Sequence, residues 1–371
     1  MLLHLFNPEH DEALAADTPY YTASRAARTL GRDLCLLPAW WAAEGDYVLL
    51  HDDYPRPRPD FSGRRLHYVY ARELSGLPRG ALSGIAPWGW DQAVVHRLRK
   101  AGLPQPELLP AEPVLQVIRR LGSRRAVPLL LADAVSCLPG TTGEARWCPT
   151  TAKALRAIDF YGRAMCKAPW SGSGRGVFTA EAGETNAEHL RRRIESLVRK
   201  QGGVEIEPFY ERTADFALEF SFSETDGQTD YLGLSVFSTT PAGQYAGNRL
   251  PAAGERPPFM QTTAQTDCLE ACIAHFRKAL TRHLPAEARR HLRQAGIDMM
   301  VVRCQDGQLR FHPCVEANLR QTMGAVALRL RHLLPADKAG FFRIRPKSEP
   351  KAGEIRLTPE AREMEAVIVP D

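Results

Sequence analysis

A lysine followed by three glycines on alternate positions sets the first constraint on this chain: Cys166-Lys167-Ala168-Pro169-Trp170-Ser171-Gly172-Ser173-Gly174-Arg175-Gly176-Val177. Glycines without a Cβ let backbone N–H groups approach an anion closely, serines add hydroxyl donors, and an ammonium just upstream adds a compact positive charge. That combination suits a polyphosphate. The lysine stands out because the 48 basic residues of the chain include only eight lysines. A P-loop carries its lysine after the glycines and a dinucleotide fingerprint opens a helix; neither order occurs here. Val177-Phe178-Thr179-Ala180 has strand composition. The glycines are therefore expected to tip a hairpin that either folds over a bound nucleotide or simply turns in solvent.

At 371 residues, with 44% hydrophobic content, the chain has material for two or three domains and a sizeable core. No stretch has the roughly 18 uninterrupted apolar residues of a membrane span, and the N-terminus lacks a charged segment followed by an apolar run. A soluble, cytoplasmic protein is expected, without membrane partners. The eight cysteines form no C-x-x-C pair, so neither a disulfide framework nor a zinc site is indicated. A net charge of +5 with dispersed arginines gives no expectation of nucleic acid.

Residues 1–115 alternate in the manner of an open α/β unit, with strands expected at Leu2 to Phe6, Leu34 to Leu37, Tyr47 to Leu50 and Leu66 to Tyr70. Asn7-Pro8-Glu9-His10-Asp11 follows the first strand, where open α/β sheets place ligands, although Asn7 and Asp11 also suit a turn and a cap. Asp91 is read as a helix N-cap behind two core tryptophans, Trp88 and Trp90. Pro104, Pro106, Pro110 and Pro113 mark a linker. Beyond it, Arg119, Arg120, Arg124 and Arg125 read as a solvated basic helix face. Thr185 to Gly203 is an amphipathic helix opened by a Thr185–Glu188 capping box. Val204-Glu205-Ile206-Glu207 alternates, so its carboxylates share one face of a strand. Asp215 to Phe220 and Tyr231 to Phe237 continue a mostly antiparallel meander, and Asp267 to Leu280 is a second helix.

The last informative block runs from Asp298 through a hairpin turn at Asp306-Gly307 to Val315-Glu316-Ala317-Asn318-Leu319-Arg320. On a strand, Glu316, Asn318 and Arg320 share a face. The first two offer hard oxygen donors suited to Mg²⁺, and the arginine can clamp a carboxylate or phosphate bidentately.

A lysine before a glycine-rich hairpin, a strand with glutamates and a break, then an aspartate, a hairpin and E-x-N-x-R: over roughly residues 116–335 this order resembles the ATP-grasp superfamily. Within it, N-P-E-H-D, A-P-W-G-W-D, K-A-P-W-S-G-S-G-R-G and V-E-A-N-L-R-Q-T-M-G look like a bacterial group of the carboxylate-amine ligase type. The resemblance implies a mixed α/β and α+β chain, an ATP-grasp fold preceded by an open α/β (pre-ATP-grasp) domain. The expected units are 1–115, 116–204 with the lid hairpin, 205–335 with the metal site, and a C-terminal extension, 336–371.

By the same resemblance Lys167 contacts the α and β phosphates under a lid of Ser171, Gly172, Ser173, Gly174 and Gly176. Glu207, Phe209 and Tyr210 belong to the connector that reads adenine, and Asp215 holds the ribose hydroxyls. Asp298, Glu316 and Asn318 match the ligands of Mg²⁺ or Mn²⁺, and Arg249 is placed within reach of the terminal phosphate. Pro208 departs from the pattern, standing where many members carry a lysine. The implied activity is ATP-dependent ligation of a small-molecule carboxylate, such as an amino acid or peptide, to an amine through an acyl phosphate, with Arg320 as the clamp and Lys167 beside it. A small-molecule kinase or a non-catalytic ATP-binding module would use the same grip.

Overall fold

The computed structural model describes residues 1–172, 176–183, 187–240 and 244–371. Its first four strands, Leu2–Leu5, Tyr47–Leu50, His67–Tyr70 and Gly84–Pro87, form a parallel sheet in the order His67–Tyr70, Tyr47–Leu50, Leu2–Leu5, Gly84–Pro87. Leu34 to Leu37 is not a strand: it ends the helix Arg25–Asp33 and enters a 3-10 turn, Leu37–Trp40. These leucines are buried on every side. A short run of that kind carries no periodicity to separate a strand from a helix end, and Pro38 fits the first turn of a helix. The fourth strand, Gly84–Pro87, lies at the sheet edge, where its terminal proline is tolerated.

Leu5 pairs with Pro87, so the turns that leave these two strands emerge side by side. The buried Asn7 bridges them: its amide donates to Gly89 O at 2.8 Å and accepts from Gly89 N at 3.3 Å. His10 Nδ1 lies 3.0 Å from Asp91 Oδ2, and Asp91 also caps the helix Gln92–Lys100 through Val94 N. A Cβ on Gly89 would stand 2.4 Å from the His10 ring, so only glycine fits there. This packing fixes the start of the helix His10–Ala16 and hence the position of Asp11.

A small antiparallel sheet follows, in the order Arg146–Cys148, Val204–Pro208, Arg163–Lys167, Val177–Glu181. Helices Thr151–Tyr161 and Ala187–Gln201 cover it. Val204 and Ile206 join Ile158, Cys166, Leu190 and Ile194 in a core of its own, which leaves Glu205 and Glu207 on the opposite face, as the alternation predicts. Thr185 lies outside the described residues. The helices Glu112–Leu121 and Val127–Cys137 belong elsewhere: Leu115, Ile118, Val127 and Leu131 share the main core with Leu3, Leu5, Phe216 and Ile297. A boundary at 115/116 thus falls inside a helix, because Pro113 occupies its first turn and does not end it.

The large sheet has eight strands in the order Leu309–Asn318, Gln294–Arg303, Glu211–Phe222, Thr229–Thr239, Tyr245–Leu250, Gly340–Pro346, Met364–Pro370, Ile355–Arg356. The expected meander supplies its third and fourth strands, Glu211–Phe222 and Thr229–Thr239, while Val204–Pro208 belongs to the small sheet. The C-terminal residues, read as an extension, supply its last three strands, and Asp33 of the first unit accepts from the amides of Arg362, Glu363 and Met364. The helix expected from Asp267 begins earlier, at Thr263, behind a Thr262–Gln265 capping box, and runs to His283. No helix among the described residues is long and apolar enough to cross a membrane.

Candidate active site

Lys167 closes the strand Arg163–Lys167, opposite Glu205 on one neighbour and Val177 on the other. Its turn is closed by Ala168 N donating to Gly176 O at 2.9 Å, with Gly176 at a φ of 77° that favours glycine. Ser173 and Gly174 lie outside the described residues. The Lys167 ammonium sits 2.8 Å from Glu207 Oε2 and 3.3 Å from Glu205 Oε1, all three side chains buried. These contacts are ion pairs without aligned hydrogen bonds. Burial opposes the charge on Lys167, but the Glu207 and Glu205 carboxylates outweigh it and hold its pKa above the ordinary lysine value. Glu205 is pushed up to about 7 by its burial, against the pull of Lys167 and with Glu207 adding to the rise.

Across from this group stands the end of the large sheet. Asp298 is the register partner of Glu316, and Asn318 lies two residues further along the same strand. Burial and then the neighbouring Glu316 and Glu219 carboxylates push Asp298 up to about 8. Glu316 has Arg124 at 2.7 Å, but no ion pair reaches Asp298 among the described residues, and a divalent cation would supply that charge. Among the described residues no three His, Cys, Asp or Glu side chains gather into a metal cage. The set is two carboxylates and an amide, which suits a hard cation that completes its shell with water and phosphate oxygens.

Arg320 reaches past this strand to the first unit. Its Nε and Nη2 donate to Asp11 Oδ1 and Oδ2 at 3.2 and 3.1 Å, a two-point pair. Burial works against both charges, yet each partner secures the other: Asp11 stays below the usual carboxylate range and Arg320 above the usual arginine value. A Cβ on Gly172 would stand 2.9 Å from Asp11 Oδ2, so the glycine loop lies against this pair.

The connector is placed at the edge of the same region. The Tyr210 hydroxyl accepts from Glu144 N at 2.8 Å, and its ring meets His312 edge-on at 5.2 Å. Phe209 N donates to Arg163 O, and the Arg163 guanidinium covers the half-exposed Phe209 ring. Asp215 is paired with Arg212 at 3.0 Å. Arg249 is placed away from the cluster. Its Nε donates to Glu255 and its Nη1 to Asp371, so the guanidinium that the sequence offers to a terminal phosphate is held at the C-terminus instead. The reason is topological: its strand pairs with Gly340–Pro346, on the far half of the sheet from Glu316.

No protein-family model matches the sequence, and no curated protein matches it. Solved structures do match. The biotin carboxylase domain of the Hydrogenobacter thermophilus 2-oxoglutarate carboxylase, in complex with MgADP, ADP and bicarbonate, superposes with a TM-score of 0.54 at 14% identity, covering 99% of this chain and 85% of that one. N5-carboxyaminoimidazole ribonucleotide synthetase from Thermus thermophilus gives 0.53 at 14% identity, over 100% and 94% of the two chains. The Aspergillus clavatus N5-carboxyaminoimidazole synthase, with ADP and 5-aminoimidazole ribonucleotide, gives 0.52 at 12%, over 100% and 93%. The chain has the ATP-grasp fold.

One residue of this cluster escapes the sequence reading. Arg124, expected on a solvated helix face, is 4% exposed. Its Nη1 donates to Ala168 O and Ser171 Oγ at 2.8 and 2.6 Å, and its Nη2 donates to Glu316 Oε2 at 2.7 Å. One guanidinium therefore ties the root of the glycine loop to the expected metal strand. The available signal is Gly122-Ser123, which ends one helix and caps the short turn that points Arg124 inward. Asp11, in a segment that the sequence offers both as a ligand edge and as a turn and cap, is the partner of Arg320.

Proposed function

We propose that this ATP-grasp chain is an ATP- and magnesium-dependent ligase that joins a small-molecule carboxylate, an amino acid or peptide among them, to an amine through an acyl phosphate. The observation that carries this reading is Arg124, which joins Ala168 and Ser171, just after Lys167, to Glu316, the register partner of Asp298, two residues before Asn318 and four before Arg320. Phosphoryl transfer to a carboxylate asks a protein for alignment and for neutralisation of oxygen charge. In this reading Lys167 takes the α and β phosphates, and Ser171, Gly172 and Gly176 cover them, together with Ser173 and Gly174. Glu207, Phe209 and Tyr210 border the adenine, and Asp215 the ribose. Asp298, Glu316 and Asn318 would hold Mg²⁺, which supplies charge neutralisation on the transferring phosphoryl group. Arg320 orients the carboxylate, and closure of the loop excludes water from the reactive anhydride.

The structural neighbours carry small molecules of this kind in their own complexes, bicarbonate in one and 5-aminoimidazole ribonucleotide in another. The test is ADP and phosphate release from Mg²⁺-ATP with pooled amino acids, dipeptides and organic acids. A ligase releases both only when carboxylate and amine are present together. Phosphate retained on the product would make it a kinase, and nucleotide binding without turnover in any pool would overturn the enzymatic reading.

A further inference from the structure

Asp11 and Arg320 face one another in a narrow cleft between the first unit and the end of the large sheet, whose wall also includes His10, Leu14, Ile118 and Asn318. The pair is two-pointed, at 3.2 and 3.1 Å, and both side chains are largely shielded, at 20% and 15% exposed. Asp11 is not a loose surface acid. Its helix is held through His10, whose ring is fixed by Asp91 and seated against Gly89. On its other side Asp11 meets the loop at Gly172, and Arg320 is additionally placed by donating to Gln321 O at 3.2 Å. Two opposite charges are thus held beside the phosphate loop by separate units of the chain.

We propose that Asp11 is a specificity-determining residue, and that the Asp11–Arg320 pair selects a zwitterionic substrate carrying a carboxylate and an ammonium on the same carbon, that is, a free α-amino acid. This rests on the ligase reading of the site and adds the class of its carboxylate. The physical reason is an exchange of partners. A simple carboxylate that takes Arg320 strips Asp11 of its counter-ion and leaves a shielded carboxylate unpaired, which is a severe penalty away from solvent. A zwitterion repairs both losses at once: its carboxylate takes the fork of Arg320 and its ammonium takes Asp11. Each ion pair broken is replaced, so the exchange is close to neutral in charge burial and no partner is left stranded.

The test is binding to the intact chain by calorimetry, with no turnover required. The ligands are the twenty protein amino acids, their N-acetyl derivatives, their amides, and acetate and propionate. At least one free amino acid should bind about tenfold or more tighter than its N-acetyl derivative and its amide. In Asp11→Asn the preference over the N-acetyl derivative should collapse to within about threefold, and simple carboxylates should bind more tightly than to the unaltered chain, since no carboxylate is left stranded. Asp11→Glu should keep the preference. A merely structural role for Asp11 would weaken all ligands alike and would not improve binding of the monoanions. The proposal is overturned if no free amino acid binds, if acetate or an N-acetyl derivative binds as tightly as the amino acid, or if Asp11→Asn keeps the original selectivity. Selectivity without ATP turnover would lose the ligase reading and keep this one; ligation of a carboxylate that has no ammonium would do the reverse.

Discussion

Removing the ammonium of Lys167 is expected to destabilise the fold before it affects any nucleotide. In Lys167→Met the chain keeps a side chain of similar length, but Glu205 and Glu207 are left facing each other at 0% and 5% side-chain exposure. Breaking a buried ion pair from one side costs about 3–5 kcal/mol, because the remaining charge has no solvent to return to. The penalty depends on pH in a defined direction. Glu205 is raised from an ordinary 4.5 to about 7 in the native chain. Below 4.5 the group is protonated in both states; as pH rises from 4.5 to 7 the unfolded chain ionises first, and about 3 kcal/mol of stability is lost. Without Lys167 to assist ionisation, Glu205 holds its proton to still higher pH.

The Lys167→Met penalty should therefore be largest near pH 8 and smaller by at least about 1 kcal/mol near pH 5.5. Urea unfolding followed by tryptophan fluorescence at the two pH values measures it. Replacing Glu207 by Gln in the same chain should recover part of the loss, since one stranded charge is removed. A penalty below about 1 kcal/mol at pH 8, or one that grows on acidification, would refute the reasoning. The same experiment governs the nucleotide assay: stabilisation by Mg²⁺-ATP has to be compared with the melting point of each variant alone. On that basis Lys167→Met should weaken ATP binding, and Lys278→Ala, on an exposed helix position, should not.

His312 is fully buried, neither ring nitrogen has a hydrogen-bond partner among the described residues, and burial lowers it to about 4. The stability that a buried neutral histidine contributes is lost as pH falls from 6.5 to 4, opposite in sign to Glu205, so His312→Leu should leave a chain that withstands mild acidification better than the unaltered one, seen in melting curves across pH 4–7. Glu316→Gln should raise the magnesium needed for turnover and nearly abolish it, while Arg320→Lys, which keeps charge but loses the fork, should impair catalysis with little change in the magnesium dependence of ATP binding; calorimetry over a magnesium series together with phosphate release separates the two. Arg124→Met removes donors to Ala168, Ser171 and Glu316 and should destabilise by about 2–4 kcal/mol in urea unfolding while lowering kcat more than it raises KM for ATP.

What can be read from the sequence is whatever local periodicity encodes. Glu205 and Glu207 fall on one face because strand side chains alternate, and the glycines locate the hairpin around Lys167. Glu316 and Asn318 align by the same period of two, but the strand ends at Asn318, before Arg320, and the turn at Asp306-Gly307 alone would set Asp298 opposite Cys314; an irregularity between Asp298 and Met300 shifts the register by two residues and brings Asp298 opposite Glu316. The misses are of another kind. Asp11 and Arg320 are 309 residues apart in the chain, and no local pattern announces a pair closed only by the packing of three sheets. Arg124 is hidden among neighbouring arginines, because a run of like residues masks the one whose backbone turns. Arg249 shows the converse: a polar loop sequence suggests a side chain available to a phosphate, while its partner, Asp371, is the last residue of the chain.

The separate core beneath Glu205 and Glu207 has a kinetic consequence. Lys167 and both of its counter-ions belong to the small sheet but lie on the face away from that sheet's own core, where His312 of the large sheet comes within 3.9 Å of Glu207 Oε2, so a swing of that sheet would open the three charges to water. Among the bonds that would then break are those of Arg124 to Ala168 and Ser171 and that of Trp170 Nε1 to Arg119 O. Amide hydrogens of Arg163–Lys167 and Val204–Pro208 should then exchange as one set, at a rate set by local opening of that core. Hydrogens of Gln294–Arg303, in the main core, should wait for a larger unfolding event. In Arg124→Met the two sets should keep their order, while the first exchanges faster, because two of the bonds that hold the small sheet to the rest of the chain are gone.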